Sequence, residues 1–132
     1  MNDISFKSIL AMPFAAIAFL VGDFDLLLEG LMGMVVVDFI TGLLKAWHND
    51  DVTSKVMFKG GIEKVGIFLI VATANIIDNS LGLGIALRGL VIGYYMVNEA
   101  LSMLENWGGL GLPLPKKLIN VLAQLKETEE KE

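Results

Sequence analysis

The chain has 132 residues, of which 55% are hydrophobic and only 19% are charged, and its formal net charge is −5 at pH 7. Soluble domains are less apolar, at about 45–50%, and carry about 25% charged residues. The sequence has no cysteine, which excludes disulfides and thiol chemistry, and no basic patch with aromatic residues that would indicate nucleic-acid binding. The composition favours a membrane protein over the alternative, a soluble helical bundle.

Four apolar blocks fill most of the chain and predict an all-α membrane protein. A helix that crosses a bilayer needs about 20 apolar residues. The blocks predict about four transmembrane helices, in a domain that covers residues 1–107. They span residues 5–21, 26–47, 61–77 and 81–104.

The first block is the weakest of the four, because it is short, holds Pro13 and has Lys7 near its start. A re-entrant or interfacial helix is the alternative there, which would leave three spans and place the N-terminus outside. The third block is slightly short, so Glu63 and Lys64 are expected to reach back to the membrane interface.

The connections between the blocks predict the topology. The links 22–25 and 78–80 are very short, so the helices are expected to form two antiparallel hairpins, with turn residues at 78–80. The nine lysines avoid these two links. Lys7 lies near the start of the first block, four lysines lie around the link between the second and third blocks, and four follow the fourth block. By the positive-inside rule, both termini are then cytoplasmic in a multi-pass protein.

The C-terminal region 108–132 is predicted to be cytoplasmic. It begins with a Gly/Pro-rich linker and continues with an amphipathic helix over residues 116–126. The apolar positions of this helix follow helical spacing: Leu118, Val121, Leu122 and Leu125. Its polar side includes Lys126. The helix is expected either to lie on the inner leaflet or to contact another subunit. The acidic tail 127–132 is expected to be disordered.

Four ionisable residues lie inside or beside the apolar blocks: Asp38, Asp78, Arg88 and Glu99. A charge at mid-helix costs about 2.5–3.5 kcal/mol on insertion scales, so these side chains should face protein or water. Arg88 is expected to pair with Asp38 or Asp78. Glu99 is expected to meet Lys64 or Lys45. The charges either hold the bundle together as ion pairs or line water after the bundle rearranges.

Two further features bear on assembly and chemistry. Gly89 and Gly93 form a GxxxG pattern, which permits close helix packing within or between subunits. The sequence shows no catalytic constellation, phosphate loop or metal-ligand cluster. The chain is therefore expected to be no enzyme and to need no cofactor or metal.

Two motifs follow one another along the chain. The first has the form D-x-x-T-G-x-x-K-A and contains Asp38, Thr41, Gly42 and Lys45. The second contains Asn98, Glu99, Ser102, Glu105 and Asn106, and is followed by Pro113 and Pro115. In this order the motifs resemble those of the bacteriophage holin family, which includes the clostridial toxin-secretion holins. The resemblance covers about residues 25–126.

The resemblance implies a function. Holins accumulate in the bacterial cytoplasmic membrane as homo-oligomers in contact with lipid. At a set time they open lesions that let an endolysin reach the cell wall, and relatives release toxins that lack signal peptides. The endolysin is a functional partner, and direct contact is not implied. Alternative interpretations are a small ion channel or transporter subunit, and a membrane adaptor that recruits a partner through residues 116–126.

One face of the fourth block is too polar for lipid. Asn98, Ser102 and Glu105 share this face, with Glu99 and Asn106 beside it. The stripe is predicted to be an inter-subunit or pore-facing surface.

Overall fold

The computed structural model of the chain describes residues 3–131, apart from the side chains of residues 3–6, 10, 122, 126, 129 and 130. The described part is all-α, without strands. Its five helices are α1 (Asp3–Val21), α2 (Leu26–His48), α3 (Ser54–Leu81), α4 (Ala86–Gly109) and α5 (Lys116–Lys131).

Local capping explains where α2 and α3 begin. The carboxylate of Asp25 accepts a hydrogen bond of 2.9 Å from the backbone N–H of Leu28. The hydroxyl of Thr53 accepts one of 3.2 Å from Val56. Both residues have extended backbones directly before a helix, as capping residues usually do.

The prediction of a turn at 78–80 is wrong, because α3 continues through these residues to Leu81. The helix ends at Gly82, whose left-handed φ of +68° is readily adopted by glycine. Asp78 does not break its own helix. Its carboxylate instead accepts hydrogen bonds from the first turn of α4, which begins at Ala86 rather than at residue 81.

The expectation of a disordered tail at 127–132 is also wrong as far as Lys131, where α5 ends. Glu and Lys, which make up most of this segment, are good helix formers, and the segment has neither glycine nor proline. Of the predicted apolar face, Leu118, Val121 and Leu125 are exposed. The side chains of Leu122 and Lys126 lie outside the described residues, as do residues 1, 2 and 132.

Side-chain contacts fix the directions of the helices. At one end of the bundle Arg88 of α4 meets Asp25, which precedes α2, and Asp78 of α3. At the other end Asn106 of α4 meets Thr41 of α2. The first four helices therefore alternate up and down, as expected from the short links. We call these two ends the Arg88 end and the Asn106 end.

Helices that are adjacent in the sequence are not always the ones that pack together. The central helix is α4, which packs mainly on α2 and also on α3, while α1 packs on α3. The predicted hairpin of α1 and α2 is therefore wrong as a packed pair. Because α2 and α3 share little direct contact, a gap remains between them. The buried apolar core lies near the Arg88 end and includes Leu28, Leu31, Val71 and Ile92.

The outer surface is unusually apolar for a water-soluble protein. Phe14, Phe19 and Leu26 are 72%, 81% and 85% exposed, and such large apolar surfaces mark contacts with membranes or other proteins. Two helices, α2 and α3, are long and apolar enough to cross a membrane. The apolar stretch of α1 is shorter, and α4 carries the charges of Arg88 and Glu99.

We predict that Gly22→Ala destabilises the fold by about 1 kcal/mol or more, because an L residue there is strained and meets close neighbours. Gly22 has φ +88°, and a Cβ would lie 2.7 Å from both Arg88 Nε and Asn75 Oδ1. The control Gly33→Ala, in open space within α2, should be neutral or stabilising by up to about 1 kcal/mol. Thermal unfolding in detergent measures both, and equal melting temperatures for the two variants would contradict the prediction.

Candidate functional site

The buried charges form two separate clusters rather than one network. The first, which we call the Lys64 cluster, joins α3 to both α2 and α4. Lys64 Nζ lies 2.5 Å from Asp38 Oδ2 and 2.5 Å from Glu99 Oε2. The two carboxylates are almost fully buried, and the Lys64 side chain is 17% exposed. One ammonium therefore neutralises one of two buried negative charges and binds both.

The other oxygen of Asp38 is bound from α4. Asn106 Nδ2 donates to Asp38 Oδ1 at 3.1 Å and to Thr41 Oγ1 at 3.1 Å. The Thr41 hydroxyl in turn donates to the Asp38 carbonyl oxygen at 2.9 Å. Each oxygen of the Asp38 carboxylate thus has a donor, as a buried charge requires.

The second cluster surrounds Arg88, which is 1% exposed. Its Nη1 donates to Asp25 Oδ2 and its Nη2 to the Asp23 carbonyl oxygen, both at 2.7 Å. Its Nε donates to the carbonyl oxygen of Val21 at 2.7 Å. The guanidinium therefore ties the C-terminus of α1 and the start of α2 to α4.

Asp78 and Asn75 complete the Arg88 cluster from α3. The Asp78 carboxylate accepts from the backbone N–H groups of Leu87 at 3.0 Å and Arg88 at 2.8 Å. An anion is favoured at this N-terminus of α4. Asn75 Nδ2 donates to the Leu20 carbonyl oxygen at 3.0 Å. Among the described side chains, no buried nitrogen or oxygen lacks a hydrogen-bond partner.

The predicted pairing of Arg88 with Asp38 is wrong. Arg88 is the third residue of α4 and lies level with Asp25, whereas Asp38 is about 20 Å further along α2 at 1.5 Å per residue. Its pairing with Asp78 runs through the backbone N–H of Arg88, not through its guanidinium. The expected contact of Glu99 with Lys64 is present.

Lys64 and Lys45 take different roles from those expected. Lys64 points into the bundle rather than back to an interface, because two buried carboxylates attract it more strongly than a single neighbour would. Exposed Glu63 instead pairs with Lys59 on the same helix, at 3.9 Å. The aliphatic part of Lys45 packs beside Gly109, whose added Cβ would lie 2.7 Å from Lys45 Cε.

The polar stripe of α4 lies along a cleft of about 470 Å³. Asn98, Ser102 and Asn106 line this cleft, while Glu105 is exposed outside its lining. Gly42 also lines it, and a Cβ there would lie 3.5 Å from Asn106 Nδ2.

The remaining predicted residues belong to neither cluster. A Cβ at Gly89 or Gly93 would meet nothing within 4 Å, so this pair makes no close helix packing within the described chain. Pro113 lies in the link before α5, and the Pro115 carbonyl oxygen accepts from Leu118 N–H at 3.0 Å and Ile119 N–H at 3.2 Å.

Asp25 and Asn75 were not identified as site residues from the sequence. Asp25 carried a usable signal, since an aspartate directly before the apolar run Leu26–Leu28 is a typical capping residue. Asn75 lies within a long apolar stretch with no local motif. Its role depends on the end of α1, which is distant in sequence.

Two hydrogen bonds hold the pKa of Asp25 below its ordinary value of 3.8. The bond from Arg88 has the larger effect, and the bond from the Leu28 backbone N–H has the smaller one. The charged form of Asp25 is thus favoured in the folded state. Its stabilising contribution is complete above the ordinary pKa and is lost as pH falls through the lowered value.

Comparison with known proteins places these residues in a family. A model of the bacteriophage holin family matches residues 15–127. The chain belongs to the bacteriophage holin family. An uncharacterized protein of Halalkalibacterium halodurans is 40% identical over 89% of this chain and 90% of its own length. An uncharacterized protein of Listeria monocytogenes is 38% identical over 89% and 86%.

A phage protein is also among the relatives of this holin-family chain. The protein named "Probable holin" of Bacillus phage phi105 is 33% identical, over 67% of this chain and 65% of its own length. No solved structure matches the chain significantly. Family membership and the two apolar helices α2 and α3 together indicate a membrane protein.

We predict that Lys64→Met destabilises the fold by about 3–5 kcal/mol, because it leaves two buried carboxylates without their cation. The matched control is Lys59→Met, on the exposed side of the same helix, where ion pairs contribute at most about 1 kcal/mol. Denaturant unfolding in detergent micelles measures both, and similar free energies of unfolding for the two variants would argue against the cluster as a stabilising unit.

We predict that Asp25→Asn lowers the melting temperature above pH 3.8 and that its difference from wild type disappears at more acidic pH. Asparagine keeps the helix cap but removes the charge that Arg88 binds. Melting curves across this pH range measure the difference. Asp23→Asn is the control for net charge, since Asp23 binds Arg88 through its backbone carbonyl. A difference that persists unchanged at acidic pH would contradict the assigned ion pair.

Proposed function

We propose that this chain is a holin that oligomerises in the bacterial cytoplasmic membrane and permeabilises it at a set time. The lesion would let an endolysin reach the cell wall and lyse the cell, and no direct contact with the endolysin is needed. The same lesion would also pass a toxin that lacks a signal peptide. The observation that carries the proposal is the Lys64 cluster, within the apolar bundle of a holin-family chain.

The proposed topology has four spans, α1 to α4, in a domain that covers residues 1–107. Helix α1 has 19 residues and α4 has 24, which correspond to about 28 Å and 36 Å against about 30 Å of hydrocarbon. The lysine distribution supports cytoplasmic positions for both termini and for the Gly/Pro linker, α5 and tail at 108–132. The Asn106 end is then cytoplasmic.

The Lys64 cluster supports a mechanism with a closed and an open state. In the closed bundle, Lys64 is shared between Asp38 and Glu99, and both carboxylates are shielded from lipid. If α3 moves away from α2 and α4, the three charges separate and require water. An oligomer supplies that water when the same polar faces of several copies surround a lesion. The polar stripe at Asn98 and Ser102 is suited to such a surface.

The proposed activity is non-enzymatic. Among the side chains that the structure describes, no group of three or more histidine, aspartate or glutamate residues is placed to hold a metal ion. Asp38, Lys64, Glu99 and Arg88 are engaged in ion pairs, and Asp25 and Asp78 bind backbone N–H groups at helix N-termini. The proposed activity therefore uses them to set the relative stability of two packing states.

We predict that expression in bacteria with a cytoplasmic endolysin causes abrupt lysis after a delay, and that Lys64→Met shortens the delay. A closed state weakened by about 3 kcal/mol raises the open population about 10²-fold. Lysis onset, dye entry and the amount of protein in the membrane are measured together. Asp38→Asn, which keeps a polar side chain at the cluster, is the second variant and should also shift the onset.

Lys59→Met is the control and should leave the onset unchanged. Steady ion-selective leakage without endolysin release would indicate a channel instead. No permeability at normal membrane levels would indicate an adaptor. An unchanged onset in both cluster variants would contradict the proposed closed-state role of the Lys64 cluster.

A further inference from the structure

The cleft between α2 and α3 has a defined course. Its volume is about 470 Å³, and α4 forms its floor. It begins at Val56 and Met57, close to the α2–α3 link at the Asn106 end, and extends inward to Ile70 and Tyr95. The Lys64 cluster lies along its wall.

The lining of this cleft is mixed: apolar side chains such as Phe39, Met57 and Ile70 lie beside polar ones that are unsuited to hydrocarbon. Each of its three helices contributes polar side chains: Asp38 from α2, Glu63 and Lys64 from α3, and Asn98, Glu99, Ser102 and Asn106 from α4. Polar groups against acyl chains have no hydrogen-bond partner, at a cost of several kcal/mol each. Water satisfies exposed groups such as Asn98 and the accessible part of Lys64, and lipid does not.

A second groove provides an internal contrast. Its volume is about 370 Å³, and every side chain that lines it is apolar, including Phe24, Leu28, Met32 and Leu69. This groove is compatible with acyl chains. The bundle therefore has one groove whose lining suits lipid and one cleft whose polar side chains suit water.

The ionisable side chains that line the cleft are mostly acidic. Its lining includes the three carboxylates of Asp38, Glu63 and Glu99 but the single ammonium of Lys64. The ammonium of Lys59, which does not line the cleft, lies 3.9 Å from Glu63 and partly offsets this excess. A cleft lined by an excess of one charge, between low-dielectric walls, concentrates ions of the opposite sign.

We propose that this cleft is a water-filled inlet of the closed bundle, open at the Asn106 end, which attracts small cations and disfavours anions. The inference rests on the proposed membrane insertion of α2 to α4. It adds that water and cations already reach the Lys64 cluster before any lesion opens.

The absence of native cysteine makes the inlet testable with single cysteines. Ser102→Cys and Gly66→Cys place thiols on two of its helices, and a Cβ at Gly66 meets nothing within 4 Å. Ile40→Cys is the depth-matched control, since Ile40 lies two residues from Asp38, is 50% exposed and does not line the cleft. The full-length variants are treated in inverted membrane vesicles with cationic or anionic methanethiosulfonate reagents of similar size.

We expect both cleft thiols to react, with the cationic reagent about tenfold faster than the anionic one, and the Ile40→Cys thiol to stay unmodified. Adding Glu63→Gln to Ser102→Cys should reduce this preference, because it removes one lining charge while Lys64 stays. Equal rates for the two reagents, or no reaction at either cleft position from either side of the membrane, contradict the proposed inlet.

Lysis assays in the same strains test the proposed function independently of the inlet. Cleft labelling as expected, without endolysin-dependent lysis by wild type, supports the inlet and contradicts the holin function. Labelling by impermeant reagents only from outside intact spheroplasts supports the inlet and contradicts the proposed topology. Normal lysis with unreactive cleft thiols in the closed state overturns the inlet alone.

Discussion

The ammonium of Lys64, held between the buried carboxylates of Asp38 and Glu99, is the interaction on which the packing of three helices depends. Helices α2 and α3 share little direct contact, and this ion cluster connects them directly across the gap. Separating the three charges without water is costly, because each would then be buried without a partner. Any arrangement in which α3 has moved away from α2 and α4 therefore requires water around these side chains.

The first family motif has a direct physical explanation in this cluster. Asp38 and Thr41 are three residues apart on α2, so the Thr41 hydroxyl reaches the Asp38 carbonyl oxygen. Asn106, from the second motif, then bonds both side chains. Asn106 is 68 residues from Asp38 and 65 from Thr41 in the chain, but the three form one hydrogen-bonded unit, which aligns α2 and α4 at the Asn106 end.

The Arg88 cluster has a different role, at the Arg88 end of the bundle. Arg88 and Glu99 are eleven residues apart on α4, or about 16 Å along its axis. Arg88 binds backbone carbonyl oxygens at Val21 and Asp23 together with the Asp25 carboxylate, so it organises a chain connection rather than a cleft. Because the clusters share α4 but no side chain, the bundle has one end held together by Arg88 and another end with a polar cleft.

The sequence by itself determined the helical class, the apolar blocks, and which residues are too polar to face lipid, because composition and periodicity depend on single residues and near neighbours. It also supplied one correct ion pair, Glu99 with Lys64. Only the tertiary structure decided that Arg88 meets Asp25, that α1 packs on α3, and that Asp78 caps α4 instead of forming a turn. These outcomes depend on where each helix starts and on its axial level beside its neighbours. A shift of a few residues moves a side chain by a full helical turn, and short-range sequence patterns do not encode that alignment.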